Sequence, residues 1–230
     1  MRAHHRPLVG EQPEGWLPHL HPADGLAEVL CGLIMVLTVT LATHRWERAT
    51  DDGAQKVWLA ALGCNLAWGT IDAVLYVMTR LASRGRTRKL AHDLRAMDGE
   101  DARVAHVRAA LAPGLAPLAD DAALESLYRS VARVAPTLAE RRGHLTPGDL
   151  TGAVLVFALN VLAVVPVWMP FLVIADPWIA IRTSNGVLVA LLFVVGCAWA
   201  HYAGTSRWLS GLSLMAVGLS LVATAIALGG

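Results

Sequence analysis

Five apolar runs of 18–25 residues dominate the chain: Leu26–Thr43, Val57–Thr79, Thr151–Ala175, Gly186–Ala203 and Trp208–Gly230. A helix rising about 1.5 Å per residue needs about 20 residues to cross a hydrocarbon core about 30 Å thick. Inside lipid no water satisfies backbone N–H and C=O groups, so spanning segments are helices or closed barrels. No run alternates apolar and polar residues as a strand would. The expected fold is therefore all-α, with five transmembrane helices. Pro166 and Pro170, in "VVPVWMPF", are expected to kink the third span or to end it near Val165 with an interfacial segment after it.

Charge is unevenly placed. Only 16% of the residues are charged, against about 25% in soluble domains. Residues 80–149 hold 12 of the 19 Lys and Arg and 9 of the 18 Asp and Glu. The chain is thus expected to comprise a polar tail (1–25), two spans (26–82), a helical module (83–147) and three further spans (148–230). Residues 1–25 contain four His and four Pro but no apolar core, so no cleavable signal peptide is expected. His4, His5, His19 and His21 could loosely collect metal, although a disordered tail also fits.

Basic residues set the expected orientation. With five spans, the N-terminus, the module and the 204–207 turn share one side and carry 15 Lys and Arg, against 4 on the other side. The positive-inside rule places that side in the cytoplasm and the C-terminus outside, in a bacterial-type inner membrane. Arg80, Arg84, Arg86, Arg88 and Lys89 follow the second span directly and suit contact with anionic lipid.

The module reads as short helices. One apolar stripe is Val104, Val107 and Leu111; another is Leu124, Leu127, Val131 and Val134. Pro113, Gly114 and Pro117 are expected to break them apart. Asp120 or Asp121 suits an N-cap, and Thr146-Pro147 suits the start of the third span.

Several function classes lack their signatures. There is no nucleophile elbow, HExxH, phosphate-cradling glycine loop or dinucleotide fingerprint, so neither an enzyme nor a resident cofactor is expected. Cys31, Cys64 and Cys197 lie in apolar runs without CxxC spacing, which signals neither disulfides nor a zinc site. A net charge of +1 provides no field for nucleic acid. The lipid bilayer is the expected partner, and the short module helices should pack on each other, on a second copy of the chain or on the membrane surface.

Chemistry is expected inside the second span. "GCNLAWGTIDAVLYVM" places Asn65, Trp68, Asp72 and Tyr76 on one helical face, with Gly69 beside them. A carboxyl there costs about 2.5–3.5 kcal/mol on insertion scales. Asp72 is either a cation ligand or proton carrier, or a structural group bridging two helices. Glu28, near the start of the first span, is either a route residue or an interfacial helix-start acid. Asn160 reads as interhelical glue, and His201 as a group near the span end that reaches water. In the module, Asp98, Glu100, Asp101, His92 and His106 offer oxygen and imidazole ligands for a divalent metal. Asp98 with Asp101 is also a helix-capping pattern.

The order of two spans, a helical module and three spans resembles the vacuolar iron transporter family. "EVLCGLIMVLTVT", "LGCNLAWGTIDAVLYVMTRLAS" and "NVLAVVPVWMPF" are similar in texture to that family's first three spans. The last two spans share its small-residue style, with Gly196, Gly204, Gly211 and Gly218. The resemblance implies a dimer that exchanges ferrous iron or manganese for protons, with second spans lining the pathway and module glutamates collecting metal. Aligning Gly32 and Gly69 with the family's glycines puts Met35 where its pathway aspartate stands. Asn65 falls where a glutamate stands, and Ala73 where the pathway methionine stands. Glu28 matches an acid at the start of the family's first span. The module has only Glu100, Glu125 and Glu140, and no ExxE pair. The implied pathway is Asp72, Asn65, Met35, Glu28 and Tyr76, with Asp72 and Glu28 as metal ligands.

Overall fold

A computed structural model describes residues 20–42, 53–115, 120–137 and 144–227. His4, His5, His19, Pro117 and Glu140, named above, lie outside the described residues. The described residues form an all-helical chain without strands, and five of its helices are long and apolar enough to cross a membrane. In order the helices are α1 (Pro22–Ala42), α2 (Gly53–Ala96), α3 (Glu100–Leu115), α4 (Asp121–Val134), α5 (Pro147–Leu162), α6 (Val165–Val173), α7 (Pro177–Ala203) and α8 (Arg207–Ala227). A single 3₁₀ turn, Ala135–Thr137, follows α4. The chain divides into two compact units, residues 1–77 with 146–230, and residues 78–145.

In the first unit, α1 starts earlier than its hydropathy announces. The backbone N–H of Ala23 donates to His21 Nδ1 at 3.2 Å, Pro22 opens the helix, and Asp24 stands in its first turn. A ring nitrogen thus satisfies one of the orphan donors of the helix start. α7 likewise begins at Pro177 rather than near Gly186, drawing Arg182, Thr183, Ser184 and Asn185 into the helix. Two of these polar groups are paired with neighbouring helices. Ser184 Oγ donates to the Val167 carbonyl at 2.9 Å, and Thr40 Oγ1 donates to Asn185 Oδ1 at 2.8 Å.

The third span is one apolar stretch, Pro147–Val173, broken in the middle. Thr146 and Asp149 form a reciprocal capping box at its start, with Pro147 in the first turn. The break follows from Pro166, which has no N–H to return to the Leu162 carbonyl. The chain tightens before it. Ala163 N–H still reaches the Leu159 carbonyl (3.1 Å), but Val164 N–H turns to Val161 (3.2 Å). Helix resumes at Val165 and continues through Pro170 to Val173. The span is kinked, and the helix is not lost after Val165.

Apolar side chains from α1, α2, α6 and α7 fill the centre, with Leu33, Val36, Leu37, Ala61, Val167, Leu188 and Leu192 all buried. Lipid is as apolar as leucine, so burial alone does not join such helices; close fit and polar bonds must. α7 and α8 show the fit. A Cβ at Gly196 would stand 2.7 Å from the Ser210 carbonyl oxygen and 2.9 Å from Gly211 Cα, so the two backbones touch. Between these helices Gly204 takes φ +65°, and Thr205 N–H closes on the Ala200 carbonyl at 3.1 Å. That Schellman turn stops α7 sharply and starts α8 beside it.

The second unit has its own small core of Leu94, Val104, Val107, Leu124, Tyr128 and Ala132. Asp120 caps α4 by accepting from Ala123 N–H at 2.8 Å. The buried stripe of α4 is Leu124, Tyr128 and Ala132, while Leu127 and Val134 are exposed. The expected stripe is thus turned, because Tyr128 takes the centre and supports the Arg108 guanidinium 6.0 Å from its ring centroid. α3 runs through Pro113 and Gly114 to Leu115. A helical φ suits proline, and only one backbone bond is lost.

Gly196→Ala drives a methyl group into backbone that cannot yield, so it should cost about 1–3 kcal/mol. Gly186→Ala in the same helix meets nothing within 4 Å and should be neutral or slightly stabilising. Thermal denaturation of the two variants in detergent checks the contrast.

Candidate functional site

The kink decides where the polar chemistry sits. With Val164 N–H bonded to Val161, the Asn160 carbonyl is free to accept from another helix. Asn65 Nδ2 on α2 takes it at 2.9 Å and also donates to the Gly32 carbonyl of α1 at 3.3 Å. Gly32 permits this approach. A Cβ there would lie 2.7 Å from Ala163 Cβ and 3.0 Å from the Asn160 carbonyl oxygen. Asn65 thus joins α1, α2 and α5 at the break, and it is fully buried.

The side chain of Asn160 points the other way along the same seam. Its Nδ2 donates to Glu28 Oε2 of α1 at 2.8 Å and to Asp72 Oδ2 of α2 at 3.2 Å, with the Val156 carbonyl at 3.4 Å. Two carboxyl groups from two different spans therefore share one amide nitrogen, and the amide is fully buried. Glu28 lies in the second turn of α1, one turn beyond Asp24. Its partner Asn160 stands midway along Pro147–Val173.

The registers agree. Glu28 with Asp72 and Gly32 with Asn65 run antiparallel along α1 and α2. Gly69 with Phe157 and Asn160, and Tyr76 with Gly152, run antiparallel along α2 and α5. A Cβ at Gly69 would come within 3.2 Å of Asn160 Cβ. Tyr76 lies one turn beyond Asp72 with its ring over Gly152, where a Cβ would meet ring carbons at 2.5 Å. The working face of α2 is therefore Asn65, Gly69, Asp72 and Tyr76. Trp68 is off it, 39% exposed, because Gly69 rather than Trp68 turns toward α5.

One pair of atoms is unpaired. The Oδ1 oxygens of Asn65 and Asn160 are buried and accept no hydrogen bond. A buried acceptor without a donor costs about 1–3 kcal/mol. Both lie on side chains that hold the cluster together.

The remaining expected residues stand apart from this group. Met35 is half-buried on α1, two turns from Glu28, outside the hydrogen-bonded cluster. In the second unit Glu100 pairs with Arg133 at 3.1 Å, and His106 Nε2 lies 3.8 Å from Asp93. Glu125 binds Arg108 and Arg129. His92, Asp98 and Asp101 are exposed. α3 starts at Glu100 after Gly99 (φ 97°), so Asp98 is not its cap; Glu100 and Asp101 occupy the first turn. Among the described residues no three His, Cys, Asp or Glu side chains group as metal ligands.

Asn160 is the member whose weight the sequence understates. Its signal, a lone amide in a run of Leu, Val and Ala, is the same as that of a plain helix-bridging residue. No protein-family model matches the chain, and no curated protein matches it significantly.

Asn65→Leu would leave the Asn160 and Gly32 carbonyls without their donor and should cost about 1–3 kcal/mol. Trp68→Leu, on the exposed side of the same helix, should change stability by less than about 0.5 kcal/mol. Equal losses in thermal denaturation would contradict the assigned face.

Proposed function

We propose that the protein moves a divalent metal cation of the iron or manganese kind across the membrane in exchange for protons, as a dimer on a scaffold like that of the vacuolar iron transporter family. The convergence of Glu28 and Asp72 on the buried amide of Asn160 carries this reading. A single charge inside hydrocarbon is expensive, and two carboxylates side by side are more so. Such a pair is stable when it carries protons or holds a cation, and alternation between those two conditions is the chemistry of exchange. Asp72 and Glu28 are the ligands, Asn65 and Asn160 hold them in place, and Tyr76 lies along the route. Carboxyl and amide oxygens suit hard or borderline divalent ions. In this reading the tail and residues 83–147 face the cytoplasm, the C-terminus lies outside, and Met35 and the module acids are accessory.

A non-transporting scaffold is the competing reading. It is favoured by the same bonds, since Asn65 and Asn160 tie three helices whether or not an ion passes.

Purified protein in proteoliposomes with a Mn²⁺ or Fe²⁺ gradient separates the two. Asp72→Asn and Glu28→Gln should each lower flux at least about tenfold, equivalent to about 1.4 kcal/mol, while the protein remains monodisperse. Wild-type flux in Asp72→Asn would remove Asp72 from any transport mechanism and leave the scaffold.

A further inference from the structure

Asn160 presents the wrong end of its amide for cation binding. Its donor nitrogen faces Glu28 and Asp72 at 2.8 and 3.2 Å, while its acceptor oxygen is buried and unpartnered. The Cβ–Cγ torsion of asparagine is broad and roughly two-fold, so a half-turn exchanges the two ends with little movement of the backbone. The nitrogen arrangement suits carboxyl groups with no metal between them. The oxygen arrangement adds a third ligand to two carboxylates, which is what a hard divalent cation takes.

We propose that the Asn160 amide is a two-sided ligand: Nδ2 holds the Glu28–Asp72 pair when no cation is present, and a half-turn brings Oδ1 onto a divalent cation bound between them. The inference rests on the cation reading above and assigns the third ligand of that same site. It gives the unpaired oxygen a function. The half-turn gives Oδ1 the cation as its partner and carries Nδ2 to the buried place that Oδ1 leaves, so the amide adds a ligand without adding charge. The Asn65 amide does not act in this way, because its nitrogen is committed to the Gly32 and Asn160 carbonyls that join the helices.

The chain has only three asparagines, Asn65, Asn160 and Asn185, which makes residue-selective labelling clean. The full chain in nanodiscs is titrated with Mn²⁺, and free Mn²⁺ is followed by electron paramagnetic resonance. Asn160→Asp keeps an oxygen and loses the donor; it should bind Mn²⁺ at least as tightly as wild type. Asn160→Leu loses both and should bind at least tenfold more weakly. With asparagine labelled ¹³C at Cγ, infrared difference spectra on Mn²⁺ addition should show one shifted side-chain carbonyl band. That band should persist in Asn65→Ala and vanish in Asn160→Leu. Mn²⁺ binding that is lost in Asp72→Asn but unchanged in Asn160→Leu, or that shifts no asparagine carbonyl band, overturns the two-sided ligand and leaves the cation site standing. Mn²⁺ binding that is absent in wild type, or unaffected by Asp72→Asn, overturns the site and the inference together. If Asn160→Leu does not fold, the wild-type carbonyl shift and the Asn160→Asp titration decide the matter.

Discussion

The backbone break at Ala163–Val164 is the constraint on which the first unit depends. In an uninterrupted helix the Asn160 carbonyl would be consumed by Val164 N–H. Pro166 forbids the regular ladder, Val164 closes on Val161, and the Asn160 carbonyl becomes available to Asn65. One covalent feature thus converts an internal helix bond into a bond between helices. Where apolar burial supplies no net attraction between helices, such a bond carries a large share of the specificity.

Small residues then make the meeting place. Gly32 and Gly69 bring α1 and α2 against α5 at the level of Asn160, and neither has room for a methyl group without displacing a neighbour. Glu28 and Asp72 extend from the two flanking helices to the same nitrogen. The cluster is a consequence of close backbone approach more than of long side chains reaching inward. For that reason its members recur at helical spacing on α2 (65, 69, 72 and 76) and face Glu28 and Gly32 on α1 and Gly152, Phe157 and Asn160 on α5.

Much of the architecture was legible because membrane spans are written in long stretches. Five apolar runs, the polar interval between the second and third, and the caps at Asp120 and Thr146 all depend on local composition. What was not legible depends on facing. The stripe 124, 127, 131 and 134 and the stripe 124, 128 and 132 are both helical, and only packing around Tyr128 chooses between them. Trp68 and Gly69 are neighbours about 100° apart, and the choice of the glycine follows from what α5 can approach. Glu28 could be read as a route residue or as a helix-start acid because the apolar run begins at Leu26. The His21 cap and Pro22 start the helix a turn earlier, which puts the acid in its second turn. Asn160 could not be ranked above glue from sequence, since its importance comes from two acids that lie 132 and 88 residues away along the chain.

The polar cluster is not continuous along the bundle, and this limits what any transport mechanism must do. Beyond Asn65, toward the C-terminal end of α1, the next buried side chains of α1, α2 and the kink are Val36, Leu37, Ala61, Val164 and Val167, all apolar, and the buried Ser184 hydroxyl of α7 is spent on the Val167 carbonyl. The next polar pair is Thr40 with Asn185. An ion held at Glu28 and Asp72 would meet in that layer only the Ser184 hydroxyl and the Val167 carbonyl it already bonds, so dehydrated passage across it would be costly. Movement in that direction therefore requires α1 and the α5–α6 kink to separate enough for water to enter. The joint most suited to such movement is the kink itself, because its backbone ladder is already broken and its freed carbonyl is held by one side-chain donor.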